Sequence, residues 1–181
     1  GALAVLPDLL SGYSAVFLTA DSNTWHACGE RVHALLVDRC AGIFVFETDG
    51  VLVPDETAIR TLDEHVPENA DLILGIGSGV INDLCKYTAW KQGLDCGIVA
   101  TAPSMDGYAS VGSALILKGM KVTLNARPPK AILADAKVLK DAPMDMLQAG
   151  FGDIVGKYSC LNDWKLSALV NDEYFCQQVY D

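Results

Sequence analysis

Histidine is scarce in this sequence, and paired cysteines, long apolar runs and blocks of basic charge are missing. There are three histidines and six cysteines, and no two cysteines form a C-x-x-C pair. Acidic residues outnumber basic ones 23 to 13, which gives a net charge of -10. These deficits disfavour a disulfide framework, nucleic acid as a partner and binding to an anionic membrane surface.

The chain also lacks the marks of a membrane or secreted protein. No apolar run approaches the roughly 20 residues that span a bilayer, and the opening "GALAVLPDLL" lacks the charged and apolar regions of a signal peptide. Hydrophobic residues make up 51% of the 181 residues, enough to build a core. We therefore predict a cytoplasmic protein with reduced core thiols and no membrane insertion.

What is present is an alternation of strand-like and helix-like segments. Continuous apolar runs separated by amphipathic helices are typical of a parallel sheet covered on both faces. The predicted fold class is therefore α/β, with a Rossmann-like, mainly parallel sheet. The strand-like runs are "SAVFLTA", "AGIFVFE", "ADLILGIG" and "CGIVATAPS", and the helical patterns cover residues 21–40, 54–66 and 80–93, the last stopped by Gly93.

The pattern changes after residue 110. "SALILKGMKVTLNA" predicts a hairpin that turns at Gly119, and "KAILADAKVL" predicts a further strand. From Pro143 onward the sequence is helix-like to the end. We place a boundary near residue 140, so that residues 1–140 form a nucleotide-binding domain and residues 141–181 begin an all-helical second domain that is mostly absent.

A glycine-rich loop, "LILGIGSGVIND", joins a predicted strand to a predicted helix. Glycine permits positive φ and close approach of the backbone to a ligand, and a helix start offers N–H donors to a diphosphate. The spacing G-x-G-x-G matches neither the dinucleotide nor the phosphate-loop motif, so a plain tight turn explains it equally well. Asp83, in the first turn, is interpreted mainly as a helix cap.

Two further groups of polar residues follow predicted strands. Asp21 can accept hydrogen bonds from ribose hydroxyls or can cap the next helix. "VATAPSMDGYAS" gathers Thr101, Ser104, Asp106 and Ser110 at the edge where open sheets bind ligands. A polar loop is expected there in any case, but hydroxyls around one carboxylate suit sugar hydroxyls and phosphate oxygens.

Three segments, in this order, resemble the dehydroquinate synthase and iron-type alcohol dehydrogenase superfamily: "GSGVIND", "TAPSMDGYAS" and "AGFGDIVGKYSCLNDWKLS". Within it the motifs are most similar to the bacterial sn-glycerol-1-phosphate dehydrogenase group, with which "DSNTWHACG" also agrees. The resemblance implies a dehydroquinate synthase-like fold and covers nearly the whole chain.

The resemblance also implies roles for individual residues. Asp106 is expected to bind a polyol substrate. Asp153 is expected to be the catalytic metal ligand and to touch substrate. Ser78 departs from the usual run of three glycines, and its Cβ is expected to constrain the turn. The residues expected around NAD or NADP are Asp21, Gly77, Gly79, Val80, Ile81, Asn82, Asp83, Thr101, Ser104 and Ser110.

Two alternatives for Asp153 stay open on the sequence: a helix cap, or an ion pair with Lys157 four residues on. The family's metal site uses two histidines after the aspartate, whereas His26, His33 and His65 all precede it. We expect surface or helix-end roles for these three. The chain is therefore expected to be a fragment that lacks the histidine ligands and is inactive alone. A carboxylate with two imidazoles suits zinc, nickel or iron.

The resemblance implies a metal-dependent NAD(P)-linked dehydrogenase that interconverts dihydroxyacetone phosphate and sn-glycerol 1-phosphate. A homodimer or larger homo-oligomer is expected by analogy. A glycerol or other polyol dehydrogenase of the same superfamily and a non-catalytic nucleotide-binding module remain as alternatives. The sequence leaves the choice between NAD and NADP open.

Overall fold

The computed structural model describes residues 1–47 and 50–181. The strands are β1 Val16–Asp21, β2 Cys40–Phe46, β3 Leu72–Gly77, β4 Asp95–Ala100, β5 Gly112–Leu117, β6 Met120–Asn125 and β7 Ala131–Ala134. The helices are α1 Leu6–Leu9, α2 Ser22–Thr24, α3 Glu30–Leu36, α4 Glu56–His65, α5 Gly79–Gln92, α6 Ala136–Leu139, α7 Met144–Asn171 and α8 Gln177–Tyr180. A π-helical turn, Trp25–Gly29, joins α2 to α3.

Five strands form one sheet in the order β2-β1-β3-β4-β7, and every pair is parallel. The central strand β3 is buried along its whole length, as its continuous apolar sequence predicts. Two clusters of buried side chains cover the two faces, one around Leu18, Leu36 and Leu74 and the other around Ile73, Leu84 and Ile98. The predicted α/β class with a parallel sheet is confirmed.

Local signals set several boundaries. The Asp55 carboxylate caps α4 by accepting from the Ala58 N–H at 2.9 Å. Gly93 ends α5 with a φ of 75°, as predicted, and its N–H donates to the carbonyls of Ala89 and Trp90. Helical structure after β1 ends at Arg39, because Cys40 already pairs with Val16 as a strand.

The predicted hairpin is present as β5 and β6. Its turn residues Lys118 and Gly119 have φ of 52° and 75°, the combination that suits the twist of a two-residue hairpin. The strand predicted for residues 130–139 is correct only in its first half. Asp135 accepts from the Lys137 N–H at 2.9 Å and so starts α6 instead.

Helix α7 is 28 residues long and, among its residues, Gly150 alone is buried. Large apolar side chains along it are exposed, among them Phe151, Tyr158 and Leu169. Within residues 1–47 and 50–181, no helix has both the length and the apolar character to cross a bilayer. The helix begins close to the predicted boundary near residue 140, which itself stays a prediction.

Asp135 ties the first residues of the chain to the end of β7. It is only 3% exposed, and its two carboxylate oxygens accept from the N–H groups of Leu3 and Lys137 at 3.0 and 2.9 Å. The Leu3 and Lys137 bonds hold the pKa of Asp135 below its ordinary value. A carboxyl of this kind stabilises the fold above its ordinary pKa near 4, and the stabilisation is lost as the pH falls through its lowered pKa.

We therefore expect Asp135→Ala to lower the midpoint of thermal unfolding at pH 7 by a few degrees, because the backbone N–H groups of Leu3 and Lys137 lose their acceptor. The exposed Asp141→Ala is the control. The difference between the variants should shrink as the pH falls through the lowered pKa of Asp135, and a pH-independent difference would contradict this role.

Candidate functional site at the carboxyl edge of the sheet

From β1 the chain continues to β2 on one side, whereas β3 lies on the other side of β1, so the strand order reverses between β1 and β3. In open parallel sheets ligands bind in the crevice at such a point. A cavity of about 130 Å³ lies there, and a second one of about 500 Å³ shares Asn23, Thr24 and Met146 with it. The smaller one is lined by Asp21, Asn23, Thr24, Gly50, Val51, Leu52, Ser78, Val80, Ile81 and Met146. The two neighbouring cavities together are hereafter called the edge crevice.

Asp21 ends β1 and caps the following helical turn. Its carboxylate accepts from the Thr24 N–H at 2.9 Å, and the Thr24 hydroxyl accepts from the Asp21 N–H at 3.0 Å. The capping alternative is therefore confirmed. Because Asp21 also lines the edge crevice, its predicted contact with a ribose hydroxyl stays a prediction.

The glycines of the loop serve packing rather than unusual backbone angles. Among the described glycines only Gly93 and Gly119 have positive φ, so this loop does not use the positive φ that glycine permits. A Cβ at Gly77 would lie 2.6 Å from the Ile81 Cβ, and one at Gly75 would lie 2.7 Å from the Cys85 Sγ. These glycines let α5 lie directly against β3. Ser78 has a φ of -113°, which any residue adopts, so the expected constraint from its Cβ is wrong.

At the start of α5 some residues line the edge crevice and others are buried in the core. Val80 and Ile81 line the edge crevice, and Ile81 is also buried against β3. Asn82 is 1% exposed, and its amide oxygen and nitrogen have no partner among the described residues. Such an amide is satisfied by water or by a ligand atom.

Asp83 does not cap α5, so that interpretation is wrong. The helix begins after Ser78 without a side-chain cap, and the Asp83 carboxylate lies 3.1 Å from the Lys86 ammonium. Burial raises the pKa of Asp83, while Lys86 opposes that rise. The predicted cofactor contact of Asp83 stays a prediction.

Residues 101–110 form a loop over the start of α5. The Thr101 N–H donates to the Gly77 carbonyl at 3.1 Å, and the Tyr108 hydroxyl donates to the Ala102 carbonyl at 2.6 Å. Burial raises the pKa of Tyr108 to about 12, so this hydroxyl stays protonated and able to donate. A Cβ at Gly79 would lie 3.3 Å from the Met105 Sδ. Met105 therefore packs against Gly79 and leaves little room for a larger residue there.

The same loop brings Asp106 to Asp153 on α7. The Asp106 N–H donates to the Asp153 Oδ2 at 2.8 Å, and the Lys157 Nζ lies 2.6 Å from the Asp106 Oδ2. The Lys157 ammonium lowers the pKa of the Asp106 carboxyl, and the pKa of Lys157 is raised in return. The sequence alternative of a Lys157 ion pair therefore names the right lysine but the wrong carboxylate. Two predicted substrate ligands, 47 residues apart, are in contact.

Gly150 is the point where α7 meets this loop. A Cβ there would overlap the Pro103 carbonyl oxygen and come within 2.9 Å of the Pro103 carbonyl carbon. Sequence reasoning missed Gly150 and Met105, and it considered Lys86 only as a possible phosphate contact rather than as the partner of Asp83. For Lys86 a signal existed, because it stands three residues after Asp83 on a predicted helix. For the other two the contact is long-range and left no local signal.

The three histidines all precede Asp153 in the sequence, where surface or helix-end roles were expected for them. His65 is the last residue of α4, where its Nδ1 lies 2.7 Å from the Thr61 carbonyl oxygen. His26 is exposed at the rim of the larger cavity, and His33 is half-buried on α3. In the part of the chain that the structure describes, no three His, Cys, Asp or Glu side chains meet as a metal site.

Comparison with known proteins gives consistent results. The sequence profile described as "Iron-containing alcohol dehydrogenase" matches residues 1–143. A glycerol-1-phosphate dehydrogenase [NAD(P)+] of Halalkalibacterium halodurans is 36% identical over 99% of this chain and 46% of its own length. One of Hyperthermus butylicus is 31% identical over 97% of this chain and 50% of its own length. The chain thus spans about half the length of the curated relatives that it matches.

Solved structures share the fold. Glycerol dehydrogenase from Schizosaccharomyces pombe matches with a TM-score of 0.73 and 23% identity, over 87% of this chain and 41% of that one. Maleylacetate reductase from Agrobacterium tumefaciens matches with a TM-score of 0.75 and 16% identity, over 90% of this chain and 47% of that one. At such identities the likeness establishes the fold only. It confirms the predicted dehydroquinate synthase-like architecture, in which a long helix follows the sheet.

Proposed function

The chain belongs to the iron-containing alcohol dehydrogenase family, and on that premise we propose that the protein containing it is a metal-dependent, NAD(P)-linked dehydrogenase. Its proposed reaction interconverts dihydroxyacetone phosphate and sn-glycerol 1-phosphate. The observation that carries the proposal is the contact of Asp106 with Asp153, beside the Met105 that packs on Gly79. It places a pair of acidic groups next to the start of α5.

The edge crevice fits a dinucleotide. Ser78, Val80 and Ile81, at the start of α5, line it, and a helix start favours a diphosphate. Asp21 lines one wall with one carboxylate oxygen committed to the Thr24 N–H, which leaves the other oxygen for a ribose hydroxyl. The buried Asn82 amide, which has no partner among the described residues, also suits a polar ligand or a bridging water. Residues 1–140 are proposed as the nucleotide-binding domain.

The residues present fit a divalent cation in part. Asp153 supplies a carboxylate, a ligand that zinc, nickel and iron accept, and its Oδ2 is held in place by the Asp106 N–H. Within residues 1–47 and 50–181 no group of three such ligands forms, so further ligands are proposed to come from elsewhere in the complete protein. A bound cation supplies polarisation of a substrate carbonyl, and the nicotinamide supplies hydride.

The described residues then bind and orient the substrate. Asp106 offers carboxylate oxygens to polyol hydroxyls, and Lys157 keeps it ionised and therefore an acceptor. Since Gly150 packs on Pro103, α7 holds Asp153 against the loop that carries Asp106. Fixing both acidic groups orients the substrate, because a well-placed reactant avoids much of the entropic cost of reaction.

The test is reduction of dihydroxyacetone phosphate by the complete gene product, followed as loss of NADH or NADPH absorbance, with zinc, nickel or iron added in turn. We expect turnover with at least one metal, none in a chelator, and a product that an sn-glycerol-3-phosphate-specific dehydrogenase does not oxidise. Absence of turnover with every metal, in a folded protein, would overturn the proposal. Gel filtration tests the proposed homodimer or larger assembly.

A second candidate, a glycerol or other polyol dehydrogenase, is favoured by one observation. The one ammonium in the contact of Asp106, Asp153 and Lys157 is already paired with the Asp106 carboxylate, so it is not available to a substrate phosphate. Glycerol oxidation and dihydroxyacetone reduction should then exceed the rates with the phosphorylated substrates. The same assay with the four substrates in parallel decides between the two candidates.

A further inference from the structure

Lys86 is a fully buried cation that joins α5 to the segment before the hairpin. Its residue is 1% exposed. Its ammonium lies 3.1 Å from the Asp83 Oδ1, 3.1 Å from the Ser110 Oγ and within hydrogen-bond distance of the Gly112 carbonyl oxygen. A buried charge is tolerated only when it is paired and hydrogen-bonded, and here the Ser110 carbonyl oxygen, 3.4 Å from the ammonium, adds a fourth and longer contact to these three acceptors.

This arrangement fixes the direction of every hydrogen bond at Ser110. An ammonium only donates, so the Ser110 Oγ accepts from Lys86. A carbonyl only accepts, so the Ser110 hydroxyl donates its single proton to the Gly112 oxygen, 3.1 Å away. A hydroxyl has one proton and two lone pairs. The exposed Ser110 therefore keeps one lone pair, and no proton, for any ligand.

We propose that Lys86 is a positioning residue that turns Ser110 into an obligate hydrogen-bond acceptor toward the bound ligand. The ligand group that meets Ser110 must then carry an N–H or O–H, as a nicotinamide carboxamide or a polyol hydroxyl does. A phosphate oxygen, which only accepts, is excluded at this position. The inference rests on the proposed function, since it assumes that Ser110 lines the ligand.

Ser110→Ala tests the direction of the bond, because Ser110 is exposed and its carbonyl oxygen, 3.4 Å from the Lys86 Nζ, remains as an acceptor when the hydroxyl is removed. Four quantities are compared in the complete gene product: the Kd of NADH, the Kd of an analogue in which acetyl replaces the carboxamide, the Kd of ADP, and the KM of the ketone or polyol substrate. The control is Ser11→Ala, which changes an exposed turn residue distant from Ser110 in the sequence. One lost hydrogen bond is expected to weaken the affected ligand about five- to tenfold.

If Ser110 accepts from the carboxamide, the variant weakens NADH and leaves the acetyl analogue and ADP unchanged. If it accepts from a substrate hydroxyl, KM rises while all three Kd values stay the same. An equal loss for NADH and the acetyl analogue means that Ser110 accepts from a ribose hydroxyl or an amino group of the cofactor, and no change in any of the four quantities overturns the proposal. Should the wild-type protein bind neither NADH nor ADP, the proposed function fails instead, and the two failures are thereby distinguished.

The role of Lys86 is tested by a double-mutant cycle with Lys86→Met. A residue that acts through Ser110 should weaken the same ligand in the wild-type background and have no further effect once Ser110 is alanine. A merely structural role would lower stability equally in both backgrounds and leave the ligand selectivity unchanged. If Lys86→Met fails to fold, the Ser110→Ala comparison still decides the direction of the bond.

Discussion

Gly150→Ala is expected to separate helix α7 from the loop that carries Asp106. The new Cβ would overlap the Pro103 carbonyl oxygen, a backbone atom that cannot turn away as a side chain could. Overpacking of this kind typically costs about 1–3 kcal/mol. The Asp106 N–H bond to Asp153 lies beyond this contact and should be lost with it. We expect α7 to become sensitive to limited proteolysis and the unfolding midpoint to fall.

The same helix offers matched controls. A Cβ at Gly152 or Gly156 meets nothing within 4 Å. Because glycine is a poor helix former, alanine at either position should instead stabilise α7 by roughly 0.5–1 kcal/mol. The three variants thus share the change of glycine to alanine, but Gly150→Ala should lower the stability of the protein and the other two should raise it. Equal unfolding midpoints for Gly150→Ala and Gly152→Ala would show that the contact with Pro103 does not hold the helix.

Asp153→Asn is expected to abolish metal binding while leaving α7 in place. The amide oxygen of asparagine can still accept from the Asp106 N–H, so the contact between loop and helix survives, but the negative charge is gone. Since changes to groups that merely support metal ligands cost about 10–100-fold, loss of the ligand itself should lower activity by more than about 100-fold. Metal analysis of the complete gene product gives a readout that does not depend on turnover.

Asp153→Ala separates the two roles of this residue. It removes the acceptor as well as the charge, so it should lose metal and also about 1 kcal/mol of stability. Asp163→Asn, an exposed change on the same helix, serves as the control. An Asp153→Asn protein that retains its metal and its activity would refute the role of Asp153 as a ligand.

Local patterns were sufficient to predict most of the sheet. Apolar runs located β1, β3 and β4, and Gly93 and Gly119 marked a helix end and a turn through their lack of a Cβ. Patterns of this kind depend on neighbours within a few residues, so a single sequence displays them. The second half of the strand predicted at residues 130–139 failed because a capping aspartate, Asp135, outweighed the apolar pattern.

The site was less predictable, since its contacts join distant segments. Asp106 and Asp153 could be named as candidates, but their contact depends on how Gly150 seats α7 on the loop. The sequence also did not show why Gly77 is a glycine, because what excludes a Cβ there is packing on Ile81 rather than positive φ. For the pair of Asp83 and Lys86 the spacing was visible in the sequence, but the burial of Lys86 depends on its contacts with the distant Ser110 and Gly112.

The close fit of α5 against Gly75 and Gly77 has a consequence for how such a protein can change over evolution. A Cβ at either glycine would meet the side chains of Ile81 or Cys85 on the helix, so larger residues are excluded where α5 packs on β3. Asn23 and Val51, which line the smaller cavity, are under no such constraint from the helix. If the proposed function holds, preference between related dinucleotides should therefore drift through substitutions at positions of the second kind, while the start of α5 keeps its place.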